Sequence, residues 1–137
     1  MTFDFDLAYD ILAKIEELPP GQATSTGNLV DPMQFPDEGN HPTPYECEFI
    51  RVSYHMGQLI DSGLLEARAI DLVGKPATDY TVFPGLQGAE GLTLNGQQYL
   101  SMLRDNTAKN RIKEKLKTGF LNVAEALSVD VIKELLF

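Results

Sequence analysis

Between positions 51 and 62 the chain carries its most suggestive set of side chains. Arg51, His55, Gln58 and Ser62 are separated by four, three and four residues, so on a helix they share a face, with Tyr54 beside them. Arginine and glutamine pair with base edges in the DNA major groove, so Arg51, Tyr54, His55 and Gln58 read as a recognition face for nucleic acid or another partner. That face holds one permanent cation and is flanked by Glu46, Glu48 and Asp61, which repel phosphates. A second cluster, Lys109, Arg111, Lys113, Lys115 and Lys117, gathers five of the eleven basic residues into one short run. It reads as the solvated face of a helix that offsets an acidic body, or as a set of phosphate or partner contacts.

Other chemistry is thinly supported. His55 has no cysteine or carboxylate placed to make it a catalytic base or metal ligand, and is expected to be a hydrogen-bonded histidine at a helix edge. Cys47 is the only cysteine, which excludes an intrachain disulfide; it is expected to be a small buried hydrophobe. Asp4-Phe5-Asp6 imitates a metal-binding pair, but acidic residues are favoured at a helix start by the macrodipole alone. Gly85, Gly88 and Gly91 recur every third residue without the lysine and hydroxyl of a phosphate loop, and read as a flexible connection. No metal, cofactor or catalytic residue is therefore expected, and the chain reads as a non-enzyme.

Charge sets a further bound. The net charge is −9, with a pI near 4.5, but it is unevenly spread. Residues 1–106 hold 5 basic and 16 acidic side chains, net −11, whereas residues 107–137 hold 6 and 4, net +2. The 137 residues suffice to bury a core without staples. The start of the chain lacks the basic residues of a signal peptide, and no apolar run approaches the length of a membrane span. The expectation is a cytoplasmic protein with no membrane partner.

The elements that must position these residues follow from local chemistry. Asp4 predicts the cap of a first helix with Leu7, Ala8, Ile11, Leu12, Ile15 and Leu18 on its apolar side, ended by Pro19-Pro20. Residues 19–44 hold six of the eight prolines and read as an insertion, with a short strand expected at Asn28-Leu29-Val30 and no visible second helix. Thr43-Pro44-Tyr45-Glu46 is a capping box, and the helix it opens carries Phe49, Val52, Met56, Leu59 and Ile60 as far as the stop at Ser62-Gly63. A hairpin is expected next, from strands at 64–73 and 79–83 around a loop at 74–78 whose tip is Lys75. Leu92 to Leu100 reads as a short strand running into a threonine-capped helix with Leu94, Tyr99, Leu100 and Leu103 toward the core. Asp105-Asn106 breaks that helix, and another follows over 107–117, closed by Thr118-Gly119. A last helix from Asn122 to Phe137 lays Val123, Leu127, Val131 and Leu135 on one stripe, to be covered by the first helix or by a second copy in a homodimer.

Helix followed by hairpin predicts an α+β fold, a winged helix-turn-helix over 1–106 with extra C-terminal helices over 107–137. Tyr54-His55-Met56, Leu59-Ile60, Gly63-Leu64-Leu65, Leu92-Thr93, Gly96, Tyr99-Leu100 and Arg104-Asp105-Asn106-Thr107, with Asp4, Asp6-Leu7 and Ile11-Leu12, resemble a family of small phage and prophage proteins of unknown function. That family is similar to the YjcQ-type winged-helix proteins. The resemblance omits the 19–44 insertion and implies the fold and a mobile-element origin, with no catalytic residues. Two functions are expected. One is a DNA-binding regulator that uses Arg51, Tyr54, His55, Gln58, Lys75 and the lysine-rich run; the other is a phage-type inhibitor or adaptor that turns its acidic surface on a host defence or nucleic-acid enzyme.

Overall fold

The computed structural model describes residues 2–19, 24–30, 32–34, 39, 43–67 and 88–136. Asp4 opens α1 (Phe5–Glu16), its carboxylate accepting from the amides of Asp6 and Leu7 at 3.0 and 3.2 Å, two donors that a helix start otherwise leaves unpaired. Phe5, Ala8, Ile11, Leu12 and Ile15 then fall on one buried face. A two-residue strand, β1 (Thr24–Ser25), runs into a single helical turn, α2 (Thr26–Leu29), and a 3-10 turn (Pro32–Gln34) follows. The first strand thus lies four residues before the expected Asn28-Leu29-Val30, and a short second helix is present. One turn is too brief to show a periodicity in sequence.

The long helix α3 (Pro44–Asp61) begins at the capping box: Glu46 N–H donates to the Thr43 hydroxyl at 3.1 Å and Thr43 N–H to the Glu46 carboxylate at 3.3 Å. It ends in a Schellman arrangement. Gly63 adopts φ 78°, its amide donates to the Ile60 carbonyl, and the Leu64 amide donates to the Leu59 carbonyl, both at 3.0 Å. Val52, Met56 and Leu59 are buried. A hydroxyl pair ties α2 to α3: Ser53 donates to Thr26 at 2.9 Å, and Thr26 to the Met56 sulfur at 3.7 Å.

Next come β2 (Leu65–Ala67) and β3 (Gly88–Leu92), antiparallel, with Leu65 opposite Leu92 and Glu66 opposite Gly91. Ala67 then faces Ala89, a register shift that bulges the pair at Glu90. β3 also pairs with β1, Thr24 opposite Ala89, which gives a three-stranded sheet in the order β1-β3-β2. The observed partner of β2 is therefore the glycine-spaced stretch expected to be a loose connection. Its glycines and bulge break the apolar alternation that marks a strand. The expected strand at 79–83 and the loop at 74–78 lie outside the described residues, as does Lys75.

Thr93 caps α4 (Leu94–Leu103), accepting from Gly96 N–H at 2.9 Å while its own hydroxyl donates to the Gly63 carbonyl at 2.5 Å. Helix α4 thus starts on the end of α3. Its first residue, Leu94, is 78% exposed, a correction to the expectation that it faces the core: at the first helical position it precedes the buried set Tyr99, Leu100 and Leu103 and points away from it. Asp105 caps α5 (Asn106–Lys117), which ends at Thr118 with Gly119 at φ 81°. The expected single C-terminal helix is two, α6 (Val123–Ala126), opened by an Asn122/Glu125 capping box, and α7 (Val129–Leu136). Ala126, Leu127, Val129 and Ile132 are buried, and the segment folds back chiefly on α4 and α5. They join one cluster with Leu12, Ile15, Met56, Leu59, Tyr99 and Ile112, where truncation to alanine of a large aliphatic side chain costs about 2–5 kcal/mol. Among the described residues no helix is long and apolar enough to cross a membrane.

Candidate partner-docking surface

The recognition face expected on α3 is divided by the structure. His55 is fully buried, which corrects its placement on an outward face. Its Nε2 accepts the Asp4 amide at 2.7 Å and its Nδ1 lies 2.7 Å from the Arg51 carbonyl. An amide only donates and a carbonyl only accepts, so the ring is neutral with its proton on Nδ1. Phe3 stacks on it with centroids 5.2 Å apart, and Tyr54 meets it edge-on at the same distance. Burial holds the His55 pKa below its ordinary value; the Arg51 guanidinium adds to this, opposed by the Arg51 carbonyl and the carboxylates of Asp4 and Glu48.

Arg51 is half-exposed but engaged. Its guanidinium donates to Asp4 at 2.5 Å and to Glu48 at 3.0 Å, so the single cation of α3 sits between two carboxylates. The Asp4 carboxylate therefore caps α1 through one oxygen and holds α3 through the other. Sequence spacing cannot reveal this clasp, because Asp4 and Arg51 are 47 residues apart. What α3 presents outward is rotated by about one residue, roughly 100°, from the expected face. Glu46, Cys47, Ile50 and Asp61 are exposed, and Tyr54 and Gln58 are half-buried beside them. Cys47 is thus on the surface, not buried as expected. Ile50 is 49% exposed, while Tyr45 and Phe49, whose rings lie 6.2 Å apart, are half-buried. The outward side thus carries Ile50 and Tyr54, with Glu46 one turn before Ile50 and Asp61 two turns after Tyr54.

The lysine-rich run lies on α5, and much of its charge faces α1. Lys113 donates to Asp6 at 2.8 Å, Lys109 sits 4.4 Å above the Tyr9 ring, and Arg104, before α5, pairs with Glu16. Partners ascend on α1 as they descend on α4 and α5, an antiparallel electrostatic seam over the buried Ala108 and Ile112. Each exposed pair is worth about 0–1 kcal/mol; the seam selects how the helices align more than it stabilises them. Lys115 covers the Phe120 ring at 4.3 Å, while Arg111 and Lys117 are exposed.

Three of the expected site residues do meet. Arg51, Lys113 and Lys117 line an open groove of about 1310 Å³ between residues 2–5, the C-terminal half of α5 and the start of α6. Phe3, Leu116 and Val123 supply apolar surface within it. Lys109, Arg111 and Lys115, with Tyr54 and Gln58 of α3, lie outside its lining. Among the described residues no group of three or more histidine, cysteine, aspartate or glutamate side chains is arranged to hold a metal ion. The chain matches no protein-family model, no curated protein and no solved structure.

Proposed function

We propose that this chain is a non-catalytic winged helix-turn-helix module that binds another protein through the outward face of α3. The fold reading rests on element order: α1, β1, α2, α3, then β2 and β3 as wing, with β3 central and β1 on its far side. The choice of partner rests on one observation. The only cation of α3, Arg51, is held by Asp4 and Glu48, so the helix that would enter a DNA groove offers Ile50 and Tyr54 among carboxylates and no unpaired cation among its described residues. Such a face is repelled by phosphate and suits a partner whose contact surface is basic with an apolar centre. The mobile-element resemblance would make that partner a host protein.

A DNA-binding regulator remains the second reading, supported by the exposed Arg111 and Lys117 of α5. Photo-cross-linking separates the two. A photoreactive residue at Ile50, in cells that express the protein, should give a protein adduct that survives nuclease, while the same group at the exposed Lys133 on α7 should not give that adduct. A nuclease-sensitive adduct at position 50, or none, would remove the proposal.

A further inference from the structure

One residue ties the start of α1 to the middle of α3 in three ways. The Asp4 carboxylate caps α1 through one oxygen and takes the Arg51 guanidinium on the other at 2.5 Å, while the Asp4 amide donates to Nε2 of His55 at 2.7 Å. The ring is buried, Phe3 stacks on it and Tyr54 meets it edge-on. Its Nδ1 proton is committed to the Arg51 carbonyl at 2.7 Å, so an added proton enters at Nε2 and points at the Asp4 N–H. Two donors cannot share that contact, and the Asp4 backbone must withdraw, carrying its carboxylate with it. The charged groups that face this cluster are Asp4 from the start of α1, Arg51 and Glu48 from α3, and Lys113 and Glu114 of α5, which line the same groove as Asp4 and Arg51. Glu48 is already on Arg51 and Lys113 on Asp6, so the contact that opens with Asp4 is the one on Arg51.

We infer that His55 is a proton-operated latch on the charge of α3: protonation at Nε2 lifts Asp4 away and uncovers the Arg51 guanidinium beside the face assigned above to partner docking. This regulation rests on that docking reading. With the latch closed, Arg51 is neutralised by Asp4 and Glu48, and the helix presents an acidic side to a basic partner. With it open, one of those carboxylates is gone and the same partner meets a more positive helix. Docking at α3 is therefore strongest near neutral pH and weakens on acidification. The change is local, because Phe5, Ala8, Ile11 and Leu12 hold α1 in the core whether or not its cap is in place.

The chain carries its own reporter. Cys47 is its only cysteine, is exposed, and lies one turn before Arg51 on α3. Its alkylation is followed by mass spectrometry with iodoacetate, an anion, and with iodoacetamide, which is neutral. Both reagents react with the thiolate, so the ratio of the two rates cancels the thiolate fraction and leaves the electrostatic field at the sulfur. A guanidinium released about 6 Å away should raise that ratio about twofold in the wild type between about pH 7.5 and pH 5. His55→Gln should keep only the drift due to titrating carboxylates, and Arg51→Gln should lose the step as well. Asp4→Asn keeps a capping side chain and the backbone amide but not the charge, so its ratio should already be raised at neutral pH. Circular dichroism reports whether each protein is folded across the range; Asp4→Asn against the wild type carries the test if His55→Gln is not. Ratios that follow the same course in wild type and His55→Gln, an Asp4→Asn ratio equal to that of the wild type at neutral pH, or a wild type that unfolds as a whole before the ratio moves would each overturn the inference. Alkylation of Cys47 needs no partner, so the latch can fail while the cross-link at Ile50 succeeds, and the reverse.

Discussion

Lowering the pH should selectively unfasten the N-terminus. The Nε2 of His55 accepts the Asp4 amide at 2.7 Å, so a proton arriving there would set two donors against each other in a site with no exposure to water. Burial already holds the His55 pKa below 6.5, and the folded state resists a proton that the unfolded chain takes readily. The sign follows. A group whose folded pKa is depressed, here a base kept neutral, leaves the unfolded state binding more protons as pH falls below 6.5, so stability declines from there until the folded pKa is reached. The slope of this contribution cannot exceed about 1.4 kcal/mol per pH unit, so by pH 5.5 the loss attributable to His55 is at most about 1.4 kcal/mol. The assay is urea unfolding at a series of pH values for the wild type and for His55→Gln, which keeps a carbonyl or amide near the Nε2 position but does not titrate. Carboxylates contribute to both curves, so the difference in slope between pH 6.5 and 5.5 isolates the histidine. The protection factor of the Asp4 amide, its exchange rate relative to the intrinsic rate at each pH, should fall over the same window in the wild type alone. Parallel curves, or a wild type that gains stability relative to His55→Gln on acidification, would refute the reasoning.

Two packing predictions follow from single contacts. A Cβ on Gly96 would lie 2.1 Å from the Leu64 carbonyl oxygen, a backbone atom that already accepts the Thr93 amide at 3.1 Å. Gly96→Ala should therefore destabilise by at least about 2 kcal/mol in denaturant unfolding, although alanine is worth up to about 1 kcal/mol more than glycine in a helix interior. Tyr99 is 1% exposed and donates to the Ala126 carbonyl at 2.7 Å across the α4–α6 contact, and burial raises its phenol pKa. Tyr99→Phe leaves that carbonyl without its donor and should cost about 1–3 kcal/mol, read as a lower denaturation midpoint at unchanged slope.

The parts of the fold that were legible in the residues are those set by chemistry over three or four positions. Thr43 with Glu46, Asp4, Thr93 and Asn122 each cap a helix where a short polar side chain meets orphan amides, and Gly63 and Gly119 terminate helices in the left-handed conformation that glycine adopts without strain. What was not legible depends on distant partners. His55 has the side chain of a groove-reading residue, and only the arrival of Asp4 and Phe3 makes it a buried clasp. Arg51 looks like a free cation until the fold brings Asp4 to it, and Lys113 until Asp6 does. β3 was hidden for a different reason: two glycines and a bulge at Glu90 leave only Ala89 and Leu92 as apolar positions in the strand. The turn from 51/55 to 47/50/54 as the outward side of α3 is one residue of helical phase, which amphipathicity does not resolve when histidine and serine sit in the core.

The claim that α3 is a protein-docking helix is tested most directly by titrating the full chain with random-sequence duplex DNA at low and at moderate salt, read by anisotropy. A helix whose one guanidinium is held by Asp4 and Glu48 predicts a Kd weaker than about 100 µM at both salt concentrations, with no salt-dependent slope to extract. Binding tighter than that at low salt, falling steeply as salt rises and abolished by Arg51→Ala, would show that the guanidinium leaves its carboxylates for phosphate and would contradict the account.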